Sequence, residues 1–98
     1  MKAFFLSPEA ERDLDVIKDY YLRQSGVHIA RYVMRKLRDG MRFVGRNPAA
    51  GHTREDLTAE PVKFWTVFSY LIVYDPRTKP VGIARVLHGK RDVEDLLG

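Results

Sequence analysis

The stretch VKFWTVFSYLIVYD, from Val62 to Asp75, decides the fold. It is dense in β-branched and aromatic residues, which suit a pleated surface better than a helix. Two strands fit inside it, Val62–Phe68 and Tyr70–Asp75. They are too close for a crossover helix, so they form an antiparallel hairpin turning near Phe68-Ser69. Asp75–Pro80, DPRTKP, is a short loop, and a third strand over Val81–Leu87 runs antiparallel to the second. Strict alternation puts Val81, Ile83, Arg85 and Leu87 on one side, with Gly82, Ala84, Val86 and His88 on the other. Arg85 breaks an otherwise apolar side, which predicts that it lies near an edge or carries a function.

Upstream the period changes from two to 3.6. Ser7-Pro8-Glu9 is a helix start: serine caps, proline suits the first position, and glutamate favours the positive end. Ala10, Leu14, Ile17 and Tyr21 then share one face, and the helix ends near Gln24-Ser25-Gly26. A second helix runs from about His28 to Val44 and buries Ala30, Val33, Met34, Leu37, Met41 and Val44. Arg31, Arg35, Arg38, Arg42 and Arg46 form a basic stripe, about a third of a turn away. Gly40 weakens this helix by about 1 kcal/mol relative to alanine, and Asn47-Pro48 stops it. The short link folds the two helices into an antiparallel hairpin. Ala3–Leu6 is a first strand, Pro48–Pro61 a loop with a brief turn at Glu55–Leu57, and Arg91–Leu97 a closing helical segment behind Gly89. The expected architecture is α+β, ordered β-α-α-β-β-β-α, in one domain over residues 1–98. An N-terminal strand and a helical hairpin pack on a small antiparallel sheet, followed by a short C-terminal helix.

With 98 residues the chain has room for one core and not for two. It has no cysteine, which excludes disulfides and thiolate metal sites and suits a reducing compartment. MKAFFLSPEAERDL has too short an apolar run for a secretory signal, and no segment is long enough to cross a bilayer, so the expected location is cytoplasmic. The net charge of +4 sits in one half. Met1–Ala49 holds ten Lys/Arg against six Asp/Glu, while Ala50–Gly98 holds seven of each. That asymmetry suits an acidic protein or a nucleic acid, and equally an ordinary basic surface.

The sequence has no glycine-rich phosphate loop, no HExxH and no paired-histidine metal spacing. His28, His52 and His88 fall in a helix start, a loop and a strand end, so no metal or other cofactor is expected. The chemistry worth testing is metal-free RNA cleavage, which needs a base, an acid and cations around the phosphorane. His88 titrates near neutrality and could be acid or base. Arg85 and Arg91 could neutralise phosphate oxygens, with Lys63 and Arg54 joining if loop and sheet converge. The alternative for each is structural: His88 bonding a neighbouring backbone, Arg91 and Asp92 pairing or capping locally, and Arg54 stapling its loop to Glu55 or Asp56. The arginine stripe is a solvated face, a dock for an acidic partner or a nucleic-acid contact. Trp65 packs on the sheet or stacks a base. Tyr20 and Tyr21 cannot both centre on one helix face.

Four segments together match a known pattern. Ala10, Leu14, Ile17 and Tyr21 carry a first-helix motif. Pro48, Gly51, Arg54 and Leu57 fit P-x-x-G-x-x-R-x-x-L, and SYLIVYDP, Ser69–Pro76, fits a central Y-x-I-x-Y strand. RVLHGKRDVEDLL, Arg85–Leu97, fits V-x-HG-x-RD through Val86, His88, Gly89, Arg91 and Asp92. The chain resembles the ParE branch of the RelE/ParE toxin superfamily of bacterial type II toxin–antitoxin systems. The resemblance implies a helical hairpin on a small antiparallel sheet. It also implies neutralisation by a cognate ParD-like antitoxin in a hetero-oligomer, with operator DNA bound only through the antitoxin. RelE-like members cleave mRNA on the ribosome, whereas ParE-like members poison DNA gyrase without known nuclease residues. The tail Gly89-Lys90-Arg91-Asp92 lacks the tyrosine of the nuclease branch, so no catalytic residue is assigned. The expected functional surface is Arg54, Lys63, Arg85, His88 and Arg91. The expected antitoxin surface is Tyr21, Arg31, Arg35, Arg38 and Arg42, with Ser25-Gly26 and Ala49–Glu60 adapting to a partner.

Overall fold

The computed structural model describes residues 2–92. Its elements are β1 (Phe4–Leu6), α1 (Pro8–Gln24), α2 (Val27–Arg46), β2 (Lys63–Val67), β3 (Tyr70–Asp75) and β4 (Val81–His88). The strands form one sheet in the order β1-β4-β3-β2. The β2–β3 and β3–β4 pairs are antiparallel, as the hairpin spacing requires, whereas β1 pairs in parallel with β4. Helical conformation resumes at Arg91-Asp92, and the rest of the expected terminal helix lies outside the described residues. Among the described residues no helix is long and apolar enough to cross a membrane.

Ser7 accounts for how α1 meets the sheet. Its hydroxyl accepts the Ala10 amide, capping α1, and donates to the Ala84 carbonyl, while its own amide donates to Ile83. One serine thus ends β1, starts α1 and satisfies β4 where β1 gives out. Gly26, at φ 88°, ends α1 and opens α2 in a left-handed turn that a side chain would strain. The second helix is longer than its sequence suggests, running on to Arg46. Gly40 lies where a Cβ would come within 2.6 Å of Val67 Cγ2, so the helix gives up propensity for a close approach to β2 and β3.

Two clusters hold the sheet. Leu37, Met41 and Val44 of α2 meet Ile72, Tyr74, Val81, Ile83 and Val86, all fully or almost fully buried. Each such side chain contributes about 1.5–3 kcal/mol. The opposite face carries Phe64, Leu71, Val73 and Leu87, covered by Leu57 and Val62. The sheet is therefore covered on both sides. The segment after Pro48 is a strap tied down in its first half: the Tyr74 hydroxyl donates to Pro48 O and accepts the Gly51 amide, both at 2.8 Å. His52 pairs with Phe64. A Cβ on Gly51 would lie 2.4 Å from that hydroxyl, which explains the glycine.

Strict alternation along β4 fails at one place. Val73 pairs with Arg85 and Tyr74 with Ile83, leaving Ala84 as an extra residue. This bulge re-aims the chain. Val81 and Ile83 face the helices before it, Val86 faces them after it, and Leu87 joins the opposite cluster instead of the side that alternation gave it.

Candidate functional site

Each cation expected at a phosphate-cutting rim has a local partner. Arg85, at the bulge, forks onto Asp13 of α1 through Nε at 2.8 Å and Nη2 at 3.0 Å, and the same carboxylate accepts the Val86 amide at 2.9 Å. The bond to Asp13 raises the already high pKa of this guanidinium. Arg85 is thus the tie between α1 and a strand whose neighbour β1 has ended. Arg54 forks onto Asp56 at 3.0 and 2.9 Å, and that bond holds the carboxyl below its usual range. Lys63 reaches Gly51 O at 3.4 Å. Arg91 lies 3.6 Å from Asp92.

His88 sits at the end of β4, edge-on to Tyr70 at 5.5 Å. Its Nδ1 accepts the Arg91 amide at 3.2 Å, and its own amide donates to Asp92 at 2.7 Å. This reciprocal pair starts the helical turn at Arg91. Burial, with the nearby Tyr21 hydroxyl adding to it, pushes the Tyr70 hydroxyl well above the normal phenol range. The five rim residues do not converge on one point: His88 and Arg91 adjoin, but Lys63 lies elsewhere along the sheet. Lys63 is level with Tyr74 and Ile83, whereas His88 is level with Tyr70. Five residues of β4 separate those levels, about 16 Å. Among the described residues no group of three or more His, Cys, Asp or Glu is placed to hold a metal.

The four arginines assigned to a partner do meet. Arg31, Arg35, Arg38 and Arg42 line a groove of about 690 Å³ between α1 and α2, with Lys18 opposite, Asp39 as its one acid among the described residues and Leu22, Val27, Ala30 and Met34 as apolar lining. Only Arg42 has an ion-pair partner among the described residues, Asp39 at 3.2 Å. Arg38 and Arg42 continue into a second hollow of about 440 Å³ beside β1, where Lys2 and Arg46 extend the basic track and Glu11 is an acid on its wall. Tyr21 is not part of this groove. It turns toward the sheet and packs with the core that contains Tyr70.

The far side of α2 carries a surface that sequence reasoning missed. Tyr32 and Phe43, 43% exposed each, lean over the β2–β3 hairpin. Tyr32 packs on Phe68 with ring centroids 6.1 Å apart, and Phe43 on Trp65 at 4.9 Å. Arg35 and Lys36 hold their charges 5.7 and 5.6 Å from the Tyr32 ring centre. Phe68 itself is 55% exposed and occupies the first position of a two-residue turn at φ 55°. Glycine or asparagine suits that position, and phenylalanine is strained there. The sequence signal was available in the spacing of Ile29, Tyr32, Lys36 and Phe43, a helix face about 100° from the arginines.

The family model described as the ParE toxin of the type II toxin-antitoxin system, parDE, matches residues 4–93. A solved structure described as the chromosomal ParDE TA system from P. aeruginosa has a similar fold, with a TM-score of 0.75 at 21% identity, covering 90% of this chain and 96% of that one. No curated protein matches this chain.

Proposed function

This chain belongs to the ParE toxin family of type II toxin–antitoxin systems, and from that premise we propose that it arrests growth by gripping DNA gyrase without doing chemistry itself. A cognate ParD-like antitoxin in a cytoplasmic hetero-oligomer silences it, and operator DNA is reached only through that antitoxin. The observation that carries this reading is a contrast. Of the residues suited to cutting RNA, Arg85 and Arg54 are forked onto carboxylates, and Lys63 lies about 16 Å along the sheet from His88. The residues suited to binding an acidic segment share one open groove with an apolar lining. An antitoxin segment with carboxylates along one side and aliphatic residues along the other would complement that groove.

Inducible expression tests the reading when plasmid supercoiling and bulk mRNA integrity are followed in parallel. Loss of supercoiling with intact transcripts is the expected result. Rapid transcript cleavage with supercoiling unchanged would replace it with ribosome-dependent mRNA cleavage, and His88 would then be the first residue to test.

A further inference from the structure

We infer that the aromatic ledge of Tyr32, Phe43, Trp65 and Phe68 is a second docking surface, which takes an acidic, apolar patch on the protein target while the groove across α2 takes the antitoxin. The inference rests on the proposed target-gripping function and assigns it a place. Three observations carry it.

The first is exposure. Three large rings stand 43–55% open and pack as neighbours of one another or of Trp65, whereas the two other rings as exposed, Phe5 and Tyr20, pack with none of them. Clustered aromatic surface of this kind is typical of interface centres and uncommon on a free face. From Tyr32 to Phe43 the ledge runs along α2 for about 16 Å, long enough for a small helix or strand of a partner.

The second is strain. A two-residue hairpin turn is most relaxed with glycine or asparagine at φ 55°, yet Phe68 holds that place. Its backbone is pinned on both sides, by the Val67–Tyr70 pair and by the Gly89 amide on Ser69 O at 2.7 Å. Folding alone does not call for a bulky exposed ring here. A ring that must project from the hairpin tip accounts for it.

The third is charge. Lys36 lies on the ledge and Arg35 on its border, both over Tyr32. The acid between the two faces of α2 is Asp39, which also lines the groove and pairs there with Arg42 at 3.2 Å. A partner offering an apolar side chain flanked by carboxylates complements the rings and the cations together. The rings lean on one another in two tilted pairs, an uneven surface that suits apolar protein side chains better than the flat face of an unpaired base.

The test compares the wild-type chain, Phe68→Gly/Tyr32→Ser and Lys36→Glu as inhibitors of supercoiling by purified gyrase holoenzyme on relaxed plasmid, with thermal unfolding as the control for folding. Expected are inhibition by the wild type, a loss of roughly tenfold or more in the double variant while it remains folded at the assay temperature, and a several-fold loss in Lys36→Glu. Equal inhibition by wild type and double variant overturns the ledge alone. Stronger inhibition by Lys36→Glu overturns the acidic chemistry of the partner. A wild-type chain that leaves gyrase untouched overturns the proposed function itself, and the ledge assignment with it.

Discussion

The two long sides of α2 expose similar lengths of one helix and are built by opposite rules. On the groove side, Arg31, Arg35, Arg38 and Arg42 follow the helical period, sit in water and flank small and aliphatic residues shared with α1. Each residue there is one a free helix would tolerate. On the ledge side, the helix accepts a glycine at 40 so that Val67 can approach, and the hairpin accepts a phenylalanine in a left-handed turn. Local preference is overruled twice within one contact layer. Such conflicts between local and global preference concentrate where a structure serves a purpose other than its own stability. The difference separates a surface that could be arrived at by surface charge alone from one that had to be arranged.

The largest expected effect breaks the groove side. Replacing Arg31, Arg35, Arg38 and Arg42 by glutamate should weaken capture of the antitoxin by a factor of about 100 or more, near 3 kcal/mol, because it sets like charge against like. The same variant should unfold close to the wild-type midpoint, since all four side chains are exposed. Calorimetric titration with the antitoxin checks the first statement and thermal denaturation the second. Unchanged affinity would leave the groove a solvated face.

A smaller effect comes from behind the groove. Asp13 accepts three hydrogen bonds, two from Arg85 and one from the Val86 amide. Asp13→Ala should cost about 2–3 kcal/mol in urea unfolding, since it strands a partly buried guanidinium and a backbone amide. Arg85→Ala should cost less, because Asp13 keeps the Val86 amide and Arg85 is 40% exposed. If Arg85 served a reacting phosphate instead, its removal would change activity with little change in stability.

These two residues also mark what was legible in the sequence. The strands of Val62–Asp75 were readable because β-branched and aromatic density leaves no helical alternative. The start of α1 was readable because Ser7-Pro8-Glu9 is a complete local signal. The arginine stripe was readable because 3.6 periodicity needs only one helix, whereas the groove it borders needs α1 as well. Arg85 was flagged as out of place, but its partner is 72 residues away in sequence. The bulge beside it shifts the phase of β4 by a single residue, which a period-two pattern cannot register. The ledge was hidden for a related reason. Its rings come from α2 and from the β2 hairpin, so only packing makes them one surface. Phe68 was placed at the turn, but a turn position alone does not report the sign of φ.

Gly40→Ala sharpens the ledge side with a near-balance. Alanine gains about 1 kcal/mol of helix propensity. Its Cβ would meet Val67 Cγ2 at 2.6 Å and Ile72 Cδ1 at 3.1 Å. The first belongs to a β-branched side chain in a sheet, whose stiff χ1 yields poorly, and overpacking of that kind costs about 1–3 kcal/mol. The net should be a destabilisation of about 1 kcal/mol, with Trp65 fluorescence altered as β2 moves off the helix. A gain in stability would mean that the close approach of α2 to β2 is slack.

The smallest expected effect is the most specific, because it reverses a general order. In an ordinary strand or helix, replacing a residue by glycine is worse than replacing it by alanine by roughly 0.5–1 kcal/mol. At position 68 both substitutions lose the contact with Tyr32, so that loss cancels between them. What remains is the backbone at φ 55°, which alanine must still hold against its Cβ and glycine holds freely. Left-handed strain of about 1–2 kcal/mol exceeds the entropy that glycine loses on folding. Phe68→Gly should therefore be more stable than Phe68→Ala by up to about 1 kcal/mol, read as a difference in urea midpoint at constant m. The opposite order would mean that the hairpin relaxes out of the left-handed region once the ring is gone. In that case the ring would be holding the turn open for its own packing, and strain would no longer argue for a partner on the ledge.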